Sequence, residues 1–305
     1  MVDGTHNPIA GSDRIEPESD IKYDRRSLTY STSFEDPVKR NVIRGIEWMT
    51  GKLTILRLIR EFERRGPPQD ATFWDACLDT MQIDITTPAA QIARIPSDGP
   101  VVLVANHPHG MVDGMVLGAL IARRRQDYRI LTRSLLTAID EVASRYLLPV
   151  PFPHDPDAQR KSVLMRAEAM EVLKGGGLVG LFPSGVVSAS ETMFGPAVEA
   201  EWNVFTAQLI RRSGATVVPV FFPGANSRWY QMANRVSATL RQSLLLHEIA
   251  HSVGKPQSPV IGAPIAPADM GLLRENPREF MAWLRAHTLA LGQADQQGLA
   301  KTATQ

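Results

Sequence analysis

A single cysteine, Cys77, stands in the 305 residues, so no internal disulfide can staple the fold and no CxxC pair offers a redox or zinc site. No stretch approaches the ~18 uninterrupted apolar residues of a membrane-spanning helix. Met1 to Asp20 is largely polar and lacks the apolar core of a secretory signal. Charge of one sign is missing too: 33 Lys and Arg stand against 32 Asp and Glu, a formal net charge of +1, which argues against a general nucleic-acid binder. Aromatic residues make up 7% of the chain, and its scattered tryptophans have core packing as their default role. There is no repeat period and no low-complexity tract beyond the polar ends. Gly175-Gly176-Gly177 is not followed by Gly-Lys-Ser/Thr and precedes an apolar run, so it reads as a helix stop and not a phosphate loop. These absences lead to the expectation of a reducing, cytoplasmic location.

What is present is core material. Hydrophobic residues make up 44% of the chain, enough for one large domain. Short apolar runs at 100–105, 128–132, 147–152, 178–183, 216–222 and 258–262 alternate with helical patterns, which predicts an α/β fold with a central, mostly parallel sheet. A single helix is expected from Asn234 to Val253 and a last one from about Pro277 to Leu291. The expected organisation is a flexible polar tail over 1–35, a helical arm over 36–70, the main domain over 71–292 and a polar tail over 293–305. Within the arm, Val38, Val42, Ile46, Met49, Leu53, Leu56, Ile59 and Phe62 form a helical stripe. Between Val38 and Arg65 eight Lys or Arg face three Glu, a local net charge of 8 − 3 = +5. A basic amphipathic segment of this kind can lie on an anionic lipid surface or cover its own core, with Gly45 and Gly51 weakening it as a continuous helix.

The densest chemistry lies in Asn106-His107-Pro108-His109-Gly110-Met111-Val112-Asp113-Gly114. The apolar run Pro100 to Ala105 places His107 just past a strand's carboxyl end, and the apolar stretch from Met115 to Ile121 places Asp113 in the first turn of a following helix. Open α/β sheets bind ligands in the crevice outside strand carboxyl ends. A carboxylate there can fix the tautomer of His107 and leave its other ring nitrogen free to take a proton from a bound hydroxyl. The plainer alternative is a pair of turn histidines beside a carboxylate favoured by the helix dipole.

Three later blocks follow in order: Leu147-Leu148-Pro149-Val150-Pro151-Phe152, then Leu178-Val179-Gly180-Leu181-Phe182-Pro183-Ser184-Gly185, then Thr216 to Arg228, ending Phe222-Pro223-Gly224-Ala225-Asn226-Ser227-Arg228. Over roughly residues 70 to 265 this succession resembles the lysophospholipid acyltransferase family, in particular a hemolysin-like bacterial branch whose signature reads Asn-His-Pro-x-Gly-x-x-Asp-Gly. Five residues separate His107 from Asp113, one more than in the better known branch. The His-Pro-His-Gly core is also similar, over a shorter match, to a family of diacylglycerol acyltransferases.

The resemblance implies transfer of a fatty acyl group from an acyl-CoA or acyl carrier protein thioester to the hydroxyl of a lysolipid. No cofactor is implied beyond that donor. His107 would be the base and Asp113 its orienting partner, with Asn106, Gly110, Arg133, Ser184, Gly185, Asn226 and Arg228 around the substrates. The family's Glu-Gly-Thr-Arg block, which contacts the acceptor's phosphate, is Ser184-Gly185-Val186-Val187 here. Positive charge would then have to come from Arg133, Arg160 or Arg228, for which solvated surface is the ordinary place. The implied partners are the thioester donor, an acyl carrier protein among the carriers, the lysolipid acceptor and an anionic membrane, with the enzyme held peripherally on the inner face of the cell membrane and no nucleic acid involved.

Two other function classes compete. His247-Glu248-Ile249-Ala250-His251 matches the zinc-protease pattern of two histidines one helical turn apart. The extended form of that pattern needs a His where Gln257 stands, and Glu275 or Glu279 would have to serve instead. A basic amphipathic arm would also suit a non-catalytic membrane-binding protein.

Overall fold

Val101 to Ala105 are fully buried, the fate of an apolar run when helices cover both faces of a parallel sheet. The computed structural model describes residues 23–302, apart from 32–33, 134–135, 138, 153–154, 156, 193–194 and 266–269, and omits the side chains of 238–239 and 294–302. A 3-10 turn (Arg25–Ser27) leads to α1 (Pro37–Glu47), a π-helical turn (Trp48–Lys52), α2 (Leu53–Arg65), α3 (Phe73–Thr80) and α4 (Ala89–Ile92). Then come β1 (Val101–Ala105), α5 (Met111–Ala122), β2 (Tyr128–Arg133), α6 (Glu141–Ser144), β3 (Leu147–Val150), α7 (Ala158–Lys174) and β4 (Leu178–Leu181). A small antiparallel ribbon, β5 (Ala189–Ser190) and β6 (Ala197–Val198), precedes α8 (Val204–Ser213), β7 (Thr216–Phe221), α9 (Arg228–Val236), α10 (Ala238–Ser243), α11 (Leu245–His251), β8 (Val260–Ile261), α12 (Gly271–Glu275) and α13 (Pro277–Thr302).

The main sheet has the order β3-β2-β4-β1-β7-β8, parallel except for the β7–β8 edge pair. Every expected strand is found, with ends trimmed where proline intervenes. β3 stops at Val150, before Pro151, and β8 starts at Val260, after Pro259. Pro149 is tolerated inside β3 because that strand lies at the sheet edge. On one face α3 and α5 pack Trp74, Leu117 and Leu120 against β1 and β2. On the other α7, α8 and α13 supply Met165, Leu173, Ile210 and Phe280. Gly118 is what brings α5 against α3: a Cβ there would sit 2.9 Å from the Trp74 indole, whose Nε1 donates to the Tyr128 hydroxyl at 2.8 Å.

Four segments differ from the sequence expectation. The arm's stripe is split by the π-helical turn, at which Gly51 lets the backbone of α11 approach; a Cβ would stand 2.6 Å from the Leu246 carbonyl oxygen. The single helix expected over Asn234–Val253 is three helices, because Ser237 is extended (φ −166°) and folds the chain back so that Glu248 can reach Ser227. Helix α13 runs on to Thr302, through positions expected as a polar tail. Of the expected flexible tail, residues 1–22 lie outside the described residues, whereas 24–31 form a strap with Leu28 and Tyr30 buried. The Glu47 carboxylate accepts from the Tyr30 backbone at 2.8 Å and the Thr29 hydroxyl at 2.6 Å, while Lys52 Nζ donates to the carbonyls of Leu28 and Arg26.

Candidate active site

The carboxyl ends of the four central strands converge on one crevice. Asn106 follows β1, and its side chain clasps the end of β7: Nδ2 donates to the Phe222 carbonyl at 2.8 Å, and the Phe222 amide donates to Oδ1 at 2.7 Å. This fixes the turn in which the next residue, His107, leaves the sheet. The His107 ring stacks on Phe182, just past β4, with centroids 4.0 Å apart.

Asp113, completely buried in the first turn of α5, receives four donors. His107 Nδ1 lies 3.0 Å from Oδ2 and His109 Nδ1 3.0 Å from Oδ1, while the backbone amides of His109 (2.7 Å) and Gly110 (3.1 Å) also point at Oδ2. Burial alone would push the Asp113 carboxyl up, but the hydrogen bonds from the two imidazoles outweigh it and hold the group below its ordinary value. An ionised carboxylate only accepts, so each Nδ1 is the donor, and the tautomer this selects in a neutral imidazole leaves Nε2 as the acceptor. Gly110 caps α5 at φ +74°, ψ −126°, a backbone region open essentially to glycine. Gly224 plays a similar part for the second ring, since a Cβ there would lie 2.9 Å from His109 Nε2.

A cavity of about 610 Å³ opens beside His107. Its apolar walls include Ile55, Ile59 and Phe62 of α2, Phe73 and Trp74 of α3, and Leu28 and Tyr30 of the strap. The lining also carries polar side chains, among them Arg133, Arg166, Ser184 and Asn203. Arg133 donates to the Gly185 carbonyl at 3.0 Å and lies over the Phe152 ring, with its Cζ 5.1 Å from the centroid; burial pushes its guanidinium down, opposed by Asp155. Arg166 stacks similarly on Phe205.

Of the residues singled out from the sequence, His107, Gly110, Arg133, Ser184 and Gly185 line the cavity. Asp113 and Asn106 sit beneath it as supports. Asn226 is buried outside the lining, and Arg228 and Arg160 are exposed away from it. The sequence reading missed Arg166, and it missed Glu199, a buried carboxylate that accepts the His107 backbone amide at 3.1 Å. The His-Glu-x-x-His pattern has a structural role. Glu248 is buried and caps α9 by accepting from the Ser227 amide (2.7 Å) and hydroxyl (2.5 Å), while His247 Nδ1 meets the Thr50 carbonyl at 3.2 Å. Among the described residues no group of three or more His, Cys, Asp or Glu could hold a metal ion.

The His107–Asp113 pair thus stands beside a largely apolar cavity at the carboxyl ends of a mostly parallel sheet. The Acyltransferase family model matches residues 44–251, and the chain belongs to that family. Among solved structures it is similar to the 1-acyl-sn-glycerophosphate (LPA) acyltransferase PlsC from Thermotoga maritima, with a TM-score of 0.47 and 14% identity over 87% of this chain and 85% of that one. No curated protein sequence matches it.

Proposed function

We propose that the protein transfers a fatty acyl group from acyl-CoA or acyl carrier protein to the hydroxyl of a lysophospholipid or related lysolipid, and that within the acyltransferases it falls in the hemolysin-like bacterial branch marked by Asn106-His107-Pro108 and Asp113-Gly114. The observation that carries this is the His107–Asp113 pair, 3.0 Å apart, with His107 lining a largely apolar cavity. In the reaction His107 Nε2 takes the acceptor's hydroxyl proton as its oxygen attacks the thioester carbonyl. The carbon–sulfur bond then breaks, and the departing thiolate takes the proton from the imidazolium. Asp113 holds the ring and stabilises its charged form, as the Asp of a catalytic triad does. Arg133, already directed at the Gly185 turn, supplies the positive charge for an anionic acceptor head that the missing family arginine would otherwise provide.

The arm supports docking on an anionic membrane, on the inner face of the cell membrane. Val38 and Met49 are 70% and 87% exposed, and Val42, Trp48 and Leu53 are exposed with them, interspersed with basic residues. No described helix is long and apolar enough to cross a membrane.

The test is to incubate the purified protein with acyl-CoA and acyl carrier protein donors against a panel of lysolipids, reading products by mass spectrometry. An acylated lysolipid formed by the native protein and not by His107→Ala is the expected result. Vesicle binding with no acyl transfer to any acceptor would favour a non-catalytic membrane-binding protein instead.

A further inference from the structure

The geometry points to Glu199 as a positioning residue for the base: it holds the His107 main chain while Asp113 holds its ring. Glu199 precedes α8 and is 5% exposed. Three donors converge on its carboxylate. The His107 backbone amide (3.1 Å) and the Ser188 hydroxyl (2.6 Å) share Oε2, and the Trp202 indole Nε1 (3.1 Å) takes Oε1. The Ser188 amide in turn donates to the His107 carbonyl at 2.8 Å, so the base's main chain is gripped at both its amide and its carbonyl. The other end of the clamp is anchored as well. Arg285 of α13 donates to the backbone carbonyls of Glu199 and Ala200.

This arrangement is more than a satisfied buried carboxylate. With the main chain of His107 fixed by Glu199 and Ser188, its ring by Asp113 and its face by Phe182, the residue has few freedoms left, and Nε2 stays where a hydroxyl must meet it. Displacing a reacting group by about 1 Å can cost on the order of a hundredfold in rate. The role rests on the proposed base function of His107 for its kinetic effect, and on geometry alone for its effect on the ring.

The experiment therefore has a spectroscopic arm and a kinetic arm, both on the full chain. Two-dimensional 1H–15N spectra of the imidazoles, with His107 signals assigned by their loss in His107→Ala, report which ring nitrogen carries the proton. In the native protein His107 should be a single tautomer protonated at Nδ1; in Glu199→Ala it should show exchange-averaged signals. With palmitoyl-CoA as donor and lysophosphatidic acid or lysophosphatidylcholine as acceptor, Glu199→Ala should lower kcat by about ten- to a hundredfold with KM for the donor nearly unchanged. Glu199→Gln keeps an acceptor for His107 and Ser188 but turns an amide N–H toward the Trp202 indole, so Trp202→Phe added to it should restore kcat to within about threefold of native, the residue of a mended hydrogen-bond clash. The double variant also decides the matter where Glu199→Ala does not fold. A folded Glu199→Ala protein with unaltered His107 signals overturns the proposal, and so does a Glu199→Gln/Trp202→Phe protein whose His107 signals are averaged. A native enzyme that transfers no acyl group defeats the functional proposal, while the ring signals still judge Glu199.

Discussion

At the scale of the residue, the site turns on one carboxylate shared by two imidazoles. Because general-base loss costs about two to four orders of magnitude, His107→Ala and Asp113→Asn should each lower acyl transfer by that much while circular dichroism shows a folded protein. His109→Ala removes one of the four donors to Asp113 but leaves His107 in place, so its loss should be smaller, about tenfold or less on the scale of one such hydrogen bond. The carboxyl of Asp113 is held below its ordinary value, so its contribution to stability is fully present above the normal carboxylate range and fades only as pH falls beneath it. Thermal melts should show a deficit for Asp113→Asn that shrinks as pH falls below about 4; a deficit undiminished there would contradict the assignment. The dyad was legible in the sequence because it is local: six positions apart, across a strand end and a helix start. Glu199 was not, because its contact with His107 spans 92 residues and nothing in its neighbourhood sets it apart from other acidic positions.

At the scale of the element, glycine and buried polar pins decide where helices stop and touch. Replacing Gly51 by Ala would drive a methyl group into the main chain of α11 and should cost about 1–3 kcal/mol in stability, the usual range for overpacking, read as a lowered Tm. Glu47→Ala leaves the Tyr30 amide without its acceptor, at about 1–3 kcal/mol for a buried unpaired donor, and should raise hydrogen–deuterium exchange across residues 24–31 above the rest of the chain. The strands were legible because a parallel sheet leaves continuous apolar runs. The helix breaks at Ser237 and Leu244 were not, since they answer to the cap that Glu248 makes on Ser227 across 21 positions. The same cap gives the glutamate of that segment a hydrogen-bonding role, and His247 meets the Thr50 carbonyl.

For the molecule as a whole, the arm has two sides. Ile55, Ile59 and Phe62 wall the cavity, while Val38, Met49 and Leu53 face outward. Deleting residues 1–65 would therefore open the cavity as well as remove the exposed apolar face. A cleaner test is Val38→Asp with Met49→Asp. Basic residues near an anionic surface contribute on the order of 1 kcal/mol each, so the native chain should co-sediment with phosphatidylglycerol vesicles at low salt, release as salt rises, and bind more weakly in the double variant. Fold class and the placement of the site at strand carboxyl ends could be read from the order of apolar runs. The order of strands could not, because β1 takes both its neighbours, β4 and β7, from far along the chain. That last feature bears on synthesis. The clasp between Asn106 and Phe222 joins positions 116 residues apart, so on the ribosome the sheet's central strand has no complete bed until β7 has cleared the exit tunnel. Contacts this distant make folding slow and leave apolar surface open meanwhile. Nascent chains stalled before residue 216 should be protease-sensitive throughout β1, and those that expose residues up to 262 should acquire protection there in one step.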